Sequence, residues 1–224
     1  MVLRNDIEGL VFDLDNTLYE NPPTKDRIFA EAMALAVRKL GFPGTHEEAL
    51  AVAGQSYKDH GNEIEGFVEK FGMDGQEIYH AQHEVGTGLM IAALQPDPSI
   101  TKAFNELAKD YKLLIVTHAT QHWADRLMDH LQLTPALKPG HILALDHPVI
   151  DYNKKNAGIE VFKRAASYLG LPVNKLAIME DTIDNLRHPH DHGMQTVFIN
   201  WGKPKEGLPA HVHHQVPTIA QLKR

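Results

Sequence analysis

Two aspartates separated by one residue close the first apolar run of the chain, Phe12-Asp13-Leu14-Asp15-Asn16-Thr17. An isolated Asp-x-Asp says little, because turns after strands favour aspartate for local hydrogen bonding. Two further apolar runs end in a similar way, in Thr117-His118 and in Glu180-Asp181. Carboxylates crowded at one edge repel one another unless a cation lies among them. Hard divalent cations of the magnesium type take oxygen ligands, retain waters and pair with substrate phosphate. These residue types in this arrangement therefore point to a magnesium-dependent, phosphate-handling site.

The elements that must position these residues are legible as five short apolar runs: Gly9 to Asp13, Lys112 to Thr117, His141 to Asp146, Lys175 to Glu180 and Gln195 to Ile199. Nearly continuous rather than alternating, they read as strands buried on both faces, the habit of a parallel sheet covered by helices. Helical patterns lie between them at Ser99 to Asp110, Gln121 to Leu131, Ala157 to Leu169 and briefly after Asp181. The expected fold is α/β, a Rossmann-like doubly wound parallel sheet, whose ligands bind at the carboxyl ends of the strands.

About eighty residues between the first two strands break this rhythm. Arg27 to Leu40 reads as a helix stopped by Gly41, and helical stretches follow near Glu47 to Ala53, Glu63 to Phe71 and Gln76 to Val85. The Met33, Phe29 and Leu40 stripe reads as core packing. Pro22-Pro23 and Gln95-Pro96-Asp97-Pro98 mark the edges of an inserted α-helical cap domain. The expected division is a core of residues 1–19 and 96–224 and a cap of residues 20–95.

Composition narrows the function. With 22 Lys+Arg against 29 Asp+Glu the formal charge is −7, which argues against nucleic acid and against an anionic membrane surface as partners. No apolar stretch approaches the roughly 20 residues of a membrane helix. Arg4, Asp6 and Glu8 occupy the place of a signal peptide's apolar stretch, so a cytoplasmic location is expected. Without cysteine, thiolate metal sites and cysteine nucleophiles are excluded. Segments His188-Pro-His190-Asp-His192 and His211-Val-His213-His214 hold imidazoles in number, but Pro189 disturbs regular ligand spacing, and they read as surface histidines.

Taken together, FDLDNTLY at Phe12 to Tyr19, Thr117, the Lys154-Lys155 pair and MEDTIDNL at Met179 to Leu186 resemble, in order, the four motifs of the haloacid dehalogenase (HAD) superfamily in its phosphatase branch. The fourth motif, with the YENPP and HGNEIEGF stretches, resembles most the pyrimidine 5′-nucleotidase-like subgroup. The resemblance implies that Asp13 is the nucleophile of an aspartyl-phosphate mechanism and that Asp15 protonates the leaving alkoxide and later takes a proton from water. It implies Mg2+ held by Asp13, the Asp15 main-chain carbonyl and Asp181. Thr117 would bind a phosphoryl oxygen, and a lysine of the 154/155 pair, Lys155 in preference to Lys154, would neutralise charge.

The sequence departs from the family pattern at His118, where asparagine is usual, at Asn156 after the lysine pair, where proline is usual, and at Asn185, where many members carry a carboxylate. His118 and Lys154 remain substrate-binding candidates. Glu180 and Asp184 are candidates to touch waters on the ion. Tyr19 and Glu20 at the hinge, and Asn62 and Glu63 on the cap, are candidates to touch substrate. The expected substrate is a small phosphorylated metabolite, a nucleoside monophosphate by the subgroup's suggestion. A phosphosugar mutase and a non-catalytic phosphate-ligand binder are the alternatives, while a dehalogenase has no use for an acid at Asp15.

Overall fold

The computed structural model describes residues 3–222, which divide into two compact units. One is formed by the chain up to Asn21 together with the chain from Pro96 onward; the other is Pro22–Gln95.

The first unit is built on a six-stranded, wholly parallel sheet. Its strands are β1 (Gly9–Phe12), β2 (Lys112–Val116), β3 (Ile142–Leu143), β4 (Leu176–Glu180), β5 (Gln195–Ile199) and β6 (His214–Val216), in the order β3-β2-β1-β4-β5-β6. Strands β1, β4 and β5 are buried along their whole length, as continuous apolar runs covered on both faces require. The α/β, Rossmann-like parallel sheet expected from sequence is the fold observed.

The helices of the second unit, in chain order, are α1 (Lys25–Lys39), α2 (His46–His60), α3 (Glu65–Phe71) and α4 (Gly75–Ala93). Those of the sheet unit are α5 (Pro98–Asp110), α6 (Gln121–His130), α7 (Glu160–Leu169) and α8 (Arg187–Asp191). Their ends are written locally. Asp97 caps α5 and Pro98 takes its first position, where a missing N–H costs nothing. Thr45 and Glu48 form a reciprocal capping box on α2, which ends at Gly61 with φ 74°. Inside the helical unit Met33, Val37, Phe42, Phe67 and Ile78 pack into a separate core.

Three details differ from the sequence reading. Strand β3 keeps only two of the six residues of its apolar run. It is an edge strand, and beyond Leu143 the chain bends so that Leu145 N–H bonds Ala119 C=O at 3.0 Å. Strand β6 is absent from the reading because His214-Gln215-Val216 has no apolar run; pairing with β5 makes it a strand. Leu40 is not core: it caps the end of α1 and is exposed, while Ile28, Ala32, Met33, Ala36 and Val37 form the buried face. No helix among the described residues is long and apolar enough to cross a membrane.

Phe104 on α5 is fully buried, its ring centroid 5.2 Å from that of Phe12 at the end of β1. Phe104→Ala is expected to cost about 3–5 kcal/mol of unfolding free energy, because a cavity would open directly under the strand that carries Asp13. Urea unfolding of the two proteins measures it.

Candidate active site

The register of the sheet brings the strand-end residues together. Phe12 pairs with Ile115 on one side and with Met179 on the other, so Asp13, Val116-Thr117 and Glu180-Asp181 leave three adjacent strands at one edge. The Asp13 N–H donates to Met179 C=O at 3.0 Å, continuing the ladder one residue past the strand. The loop then turns on Asn16, whose φ of 57° lies in the left-handed region that asparagine tolerates best among non-glycine residues. Trp201 Nε1–H pins the turn by donating to Asn16 C=O at 2.6 Å, and Asn16 Nδ2 donates to Asp181 Oδ2 at 2.8 Å.

At the centre lies Lys155, delivered by the 3-10 turn Lys155–Ala157 ahead of α7. Its Nζ donates to Asp13 Oδ1 at 2.5 Å and to Glu180 Oε2 at 2.7 Å. Lys155 is 2% exposed, Glu180 1% and Asp13 6%. An ammonium buried to that degree persists only when paired. Burial alone would push Lys155 down, but the two carboxylates overcome it and hold the lysine above its ordinary range. Asp13 is pushed up to about 7, by burial first and then by the Glu180 charge, against the pull of Lys155. Burial also raises Glu180, and raises Asp181 with help from Asp13. Carboxylate oxygens of Asp13, Glu180 and Asp181 lie within 4.8 Å of one another, the one such group among the described residues.

This donor set fits a hard divalent cation. It is all oxygen, and one ammonium against three carboxylates leaves a formal charge of 1 − 3 = −2 when all are ionised. Because Glu180 is taken up by Lys155, by Thr182 N–H at 3.2 Å and by the Asn185 side chain, Asp13 and Asp181 are the carboxylates left for an ion.

Asp15 points its carboxylate elsewhere. Its Oδ1 accepts from Trp123 Nε1 at 2.8 Å and from the Tyr19 hydroxyl, and its Oδ2 from the Thr117 hydroxyl at 3.4 Å. Thr117 Oγ1 also accepts the Ala119 N–H at 3.0 Å. Thr17 donates to Asp13 Oδ2 at 3.3 Å. His118 Nε2 accepts the main-chain N–H of Lys155 at 2.8 Å. An imidazole that accepts there is neutral, and burial, with Lys155 and Lys154 nearby, pushes it down to about 3.

Other candidates make contacts of their own. Lys154 is exposed, next to buried Lys155. Asp184 is exposed and faces Arg187 at 3.7 Å, and Glu20 faces Lys203 at 2.9 Å. Asn62, in the helical unit, accepts the Ile64 and Glu65 N–H groups at the start of α3. Of the histidines, the His190 and His213 rings lie 4.9 Å apart, and His213 Nδ1 takes the Thr196 N–H at 3.1 Å. Trp123 and Trp201 were invisible as site residues in the sequence: neither ends an apolar run, and only folding aims their indoles at the Asp13–Asn16 loop.

A protein-family model for haloacid dehalogenase-like hydrolases matches residues 7–187. The chain belongs to that hydrolase family. No match was found among curated proteins. Solved structures of the same fold include CbbY from Rhodobacter sphaeroides in complex with phosphate (18% identity, 96% of each chain covered, TM-score 0.69). A HAD hydrolase of family IA, variant 3, from Entamoeba histolytica is 16% identical, with 97% of this chain and 96% of that one covered and a TM-score of 0.69. A 2-haloacid dehalogenase from Pseudomonas syringae pv. Tomato is 17% identical, with 96% of each chain covered and a TM-score of 0.61. At such identities the likeness is one of fold. For a HAD-like hydrolase, the local geometry at His118 is informative: the ring meets a main-chain N–H of the loop that carries Lys155.

This contact has a pH signature. Unfolded, His118 takes up a proton below about pH 6.5; folded, it does so only near 3. The unfolded state therefore binds the extra proton between those values, and wild-type stability drains as pH falls through that window. His118→Asn retains an acceptor without this titration. Relative to wild type it is expected to gain up to about 1.4 kcal/mol per pH unit on going from pH 6.5 toward 4, read from urea midpoints across the range.

Proposed function

We propose that this hydrolase is a magnesium-dependent phosphomonoesterase acting in the cytoplasm through an aspartyl-phosphate, on a small phosphorylated metabolite of the nucleoside 5′-monophosphate class. The observation that carries the reading is the pairing of Asp13 with Lys155 beside Glu180 and Asp181, with a second carboxylate two residues further on, at Asp15.

In this mechanism an Asp13 carboxylate oxygen attacks phosphorus, forming the O–P bond of an aspartyl-phosphate as the ester O–P bond breaks. Asp15 gives its proton to the departing alkoxide, then takes one from the water that attacks the aspartyl-phosphate, releasing inorganic phosphate and restoring Asp13. Lys155 neutralises charge on Asp13 and on the phosphoryl group, and the Thr117 hydroxyl donates to a phosphoryl oxygen. Asp13, the main-chain carbonyl of Asp15 and Asp181 would hold the Mg2+, whose charge when bound offsets repulsion between carboxylate and phosphate dianion. Buried Lys155 suits the charge-neutralising role better than exposed Lys154. His118 acts on the position of Lys155, and substrate choice is assigned to the inserted helices, with Asn62 among the candidates. The nucleotide class rests on the MEDTIDNL, YENPP and HGNEIEGF runs.

Phosphate release from a panel of nucleoside monophosphates and sugar phosphates, with Mg2+ and with chelator, tests the proposal. Release is expected to require the metal, to vanish in Asp13→Asn and to fall about 10²–10⁴-fold in Asp15→Asn. Near-native turnover by Asp13→Asn would overturn the mechanism. Isomerised sugar phosphate in place of free phosphate would identify a mutase, and tight binding without hydrolysis a binding protein.

A further inference from the structure

A buried indole N–H needs an acceptor, since leaving it unpaired costs roughly 1–3 kcal/mol. Trp123 is 1% exposed, and its indole N–H donates to Asp15 Oδ1 at 2.8 Å and also meets the Tyr19 hydroxyl. Its place is set by the start of α6, where the Thr120 hydroxyl accepts the Trp123 main-chain N–H at 3.3 Å. Tyr19 reaches the same carboxylate oxygen from the loop after β1. The Thr17 and Leu18 N–H groups bond Leu14 C=O at 3.2 and 3.0 Å, a tight turn that returns Tyr19 over Asp15. The Tyr19 phenol is buried, and its hydroxyl donates to the acceptor-only carboxylate oxygen. Indole and phenol therefore both donate to Oδ1, while Oδ2, among the described residues, meets only the longer contact from Thr117.

We infer that Tyr19 and Trp123 are positioning residues for Asp15, gripping Oδ1 so that the carboxyl is held in one rotamer and Oδ2 is the oxygen through which protons pass to and from the reacting groups. The inference rests on the phosphatase reading, in which Asp15 is the proton donor. A carboxyl on two rotatable bonds held by a single weak contact would sample several rotamers. Two donors from separate segments, the loop after β1 and helix α6, reduce that set to one, and a misplacement of the order of 1 Å can cost about 100-fold in rate. Neither donor needs to touch substrate.

The effect of losing the grip depends on the leaving group. An alkyl phosphate needs a proton delivered to its alkoxide; 4-nitrophenyl phosphate leaves as a stable phenolate and does not. In Tyr19→Phe and Trp123→Phe, kcat/KM, which reads formation of the aspartyl-phosphate and not its hydrolysis, is expected to fall at least about tenfold more for an alkyl phosphate than for 4-nitrophenyl phosphate. Equal losses of kcat/KM on both esters, or no loss, would overturn the inference. Because Trp123→Phe alters the core, a second readout uses the otherwise intact protein: the Trp123 indole N–H resonance, identified by its absence in Trp123→Phe, is expected to move in Asp15→Ala. An unmoved resonance would also overturn it. Asp13→Asn is the separate control: near-native turnover there removes the aspartyl-phosphate mechanism on which the inference rests, and the indole resonance still reports whether the grip exists.

Discussion

One ammonium group between two carboxylates organises the sheet unit's carboxyl edge. Lys155 reaches Asp13 and Glu180 from a loop some 140 positions along the chain from Asp13, at a depth where neither partner could remain charged alone. The arrangement ties three segments to one point: the end of β1, the end of β4 and the turn before α7. It also leaves a surplus of negative charge beside Asp181, an all-oxygen setting that fits a divalent cation. Lys155 in turn depends on a neutral imidazole, since the only route by which its backbone is tethered to the end of β2 runs, among the contacts described, through His118 Nε2.

Around that centre two tryptophans do different work on one loop. Trp201 closes on Asn16 C=O and Asn16 holds Asp181, so the loop after β1 and the end of β4 are coupled through side-chain amide and indole hydrogen bonds. Trp123 closes on Asp15 and couples the same loop to α6. Asp13 and Asp15, two residues apart, thus occupy separate environments. Asp13 sees an ammonium and other carboxylates; Asp15 sees an indole, a phenol and a hydroxyl. The turn after β1 supplies that difference: on a continued strand residues two apart would share a face, but β1 ends at Phe12 and the chain turns from Asp15 onward.

Much of this was legible before folding. Continuous apolar runs named the strands because a parallel sheet is buried on both faces, and the acidic or hydroxylic residues that end them mark the edge where ligands bind. Strand β6 was not legible, because a half-exposed edge strand needs no apolar run. The exposure of Leu40 was not legible either, since the same apolar stripe continues past the residue at which α1 stops.

The residue types and spacing along the chain determined the fold class, and they pointed to Asp13 and Asp181 as strand-end carboxylates, because these follow from periodicity and local turn chemistry. Only the tertiary structure decided that Lys155 rather than Lys154 is buried against Asp13, that His118 accepts a backbone N–H, and that Trp123 and Tyr19 hold Asp15. Each of those depends on which side chain of a loop enters the interior, and loops carry no periodicity from which that direction can be read.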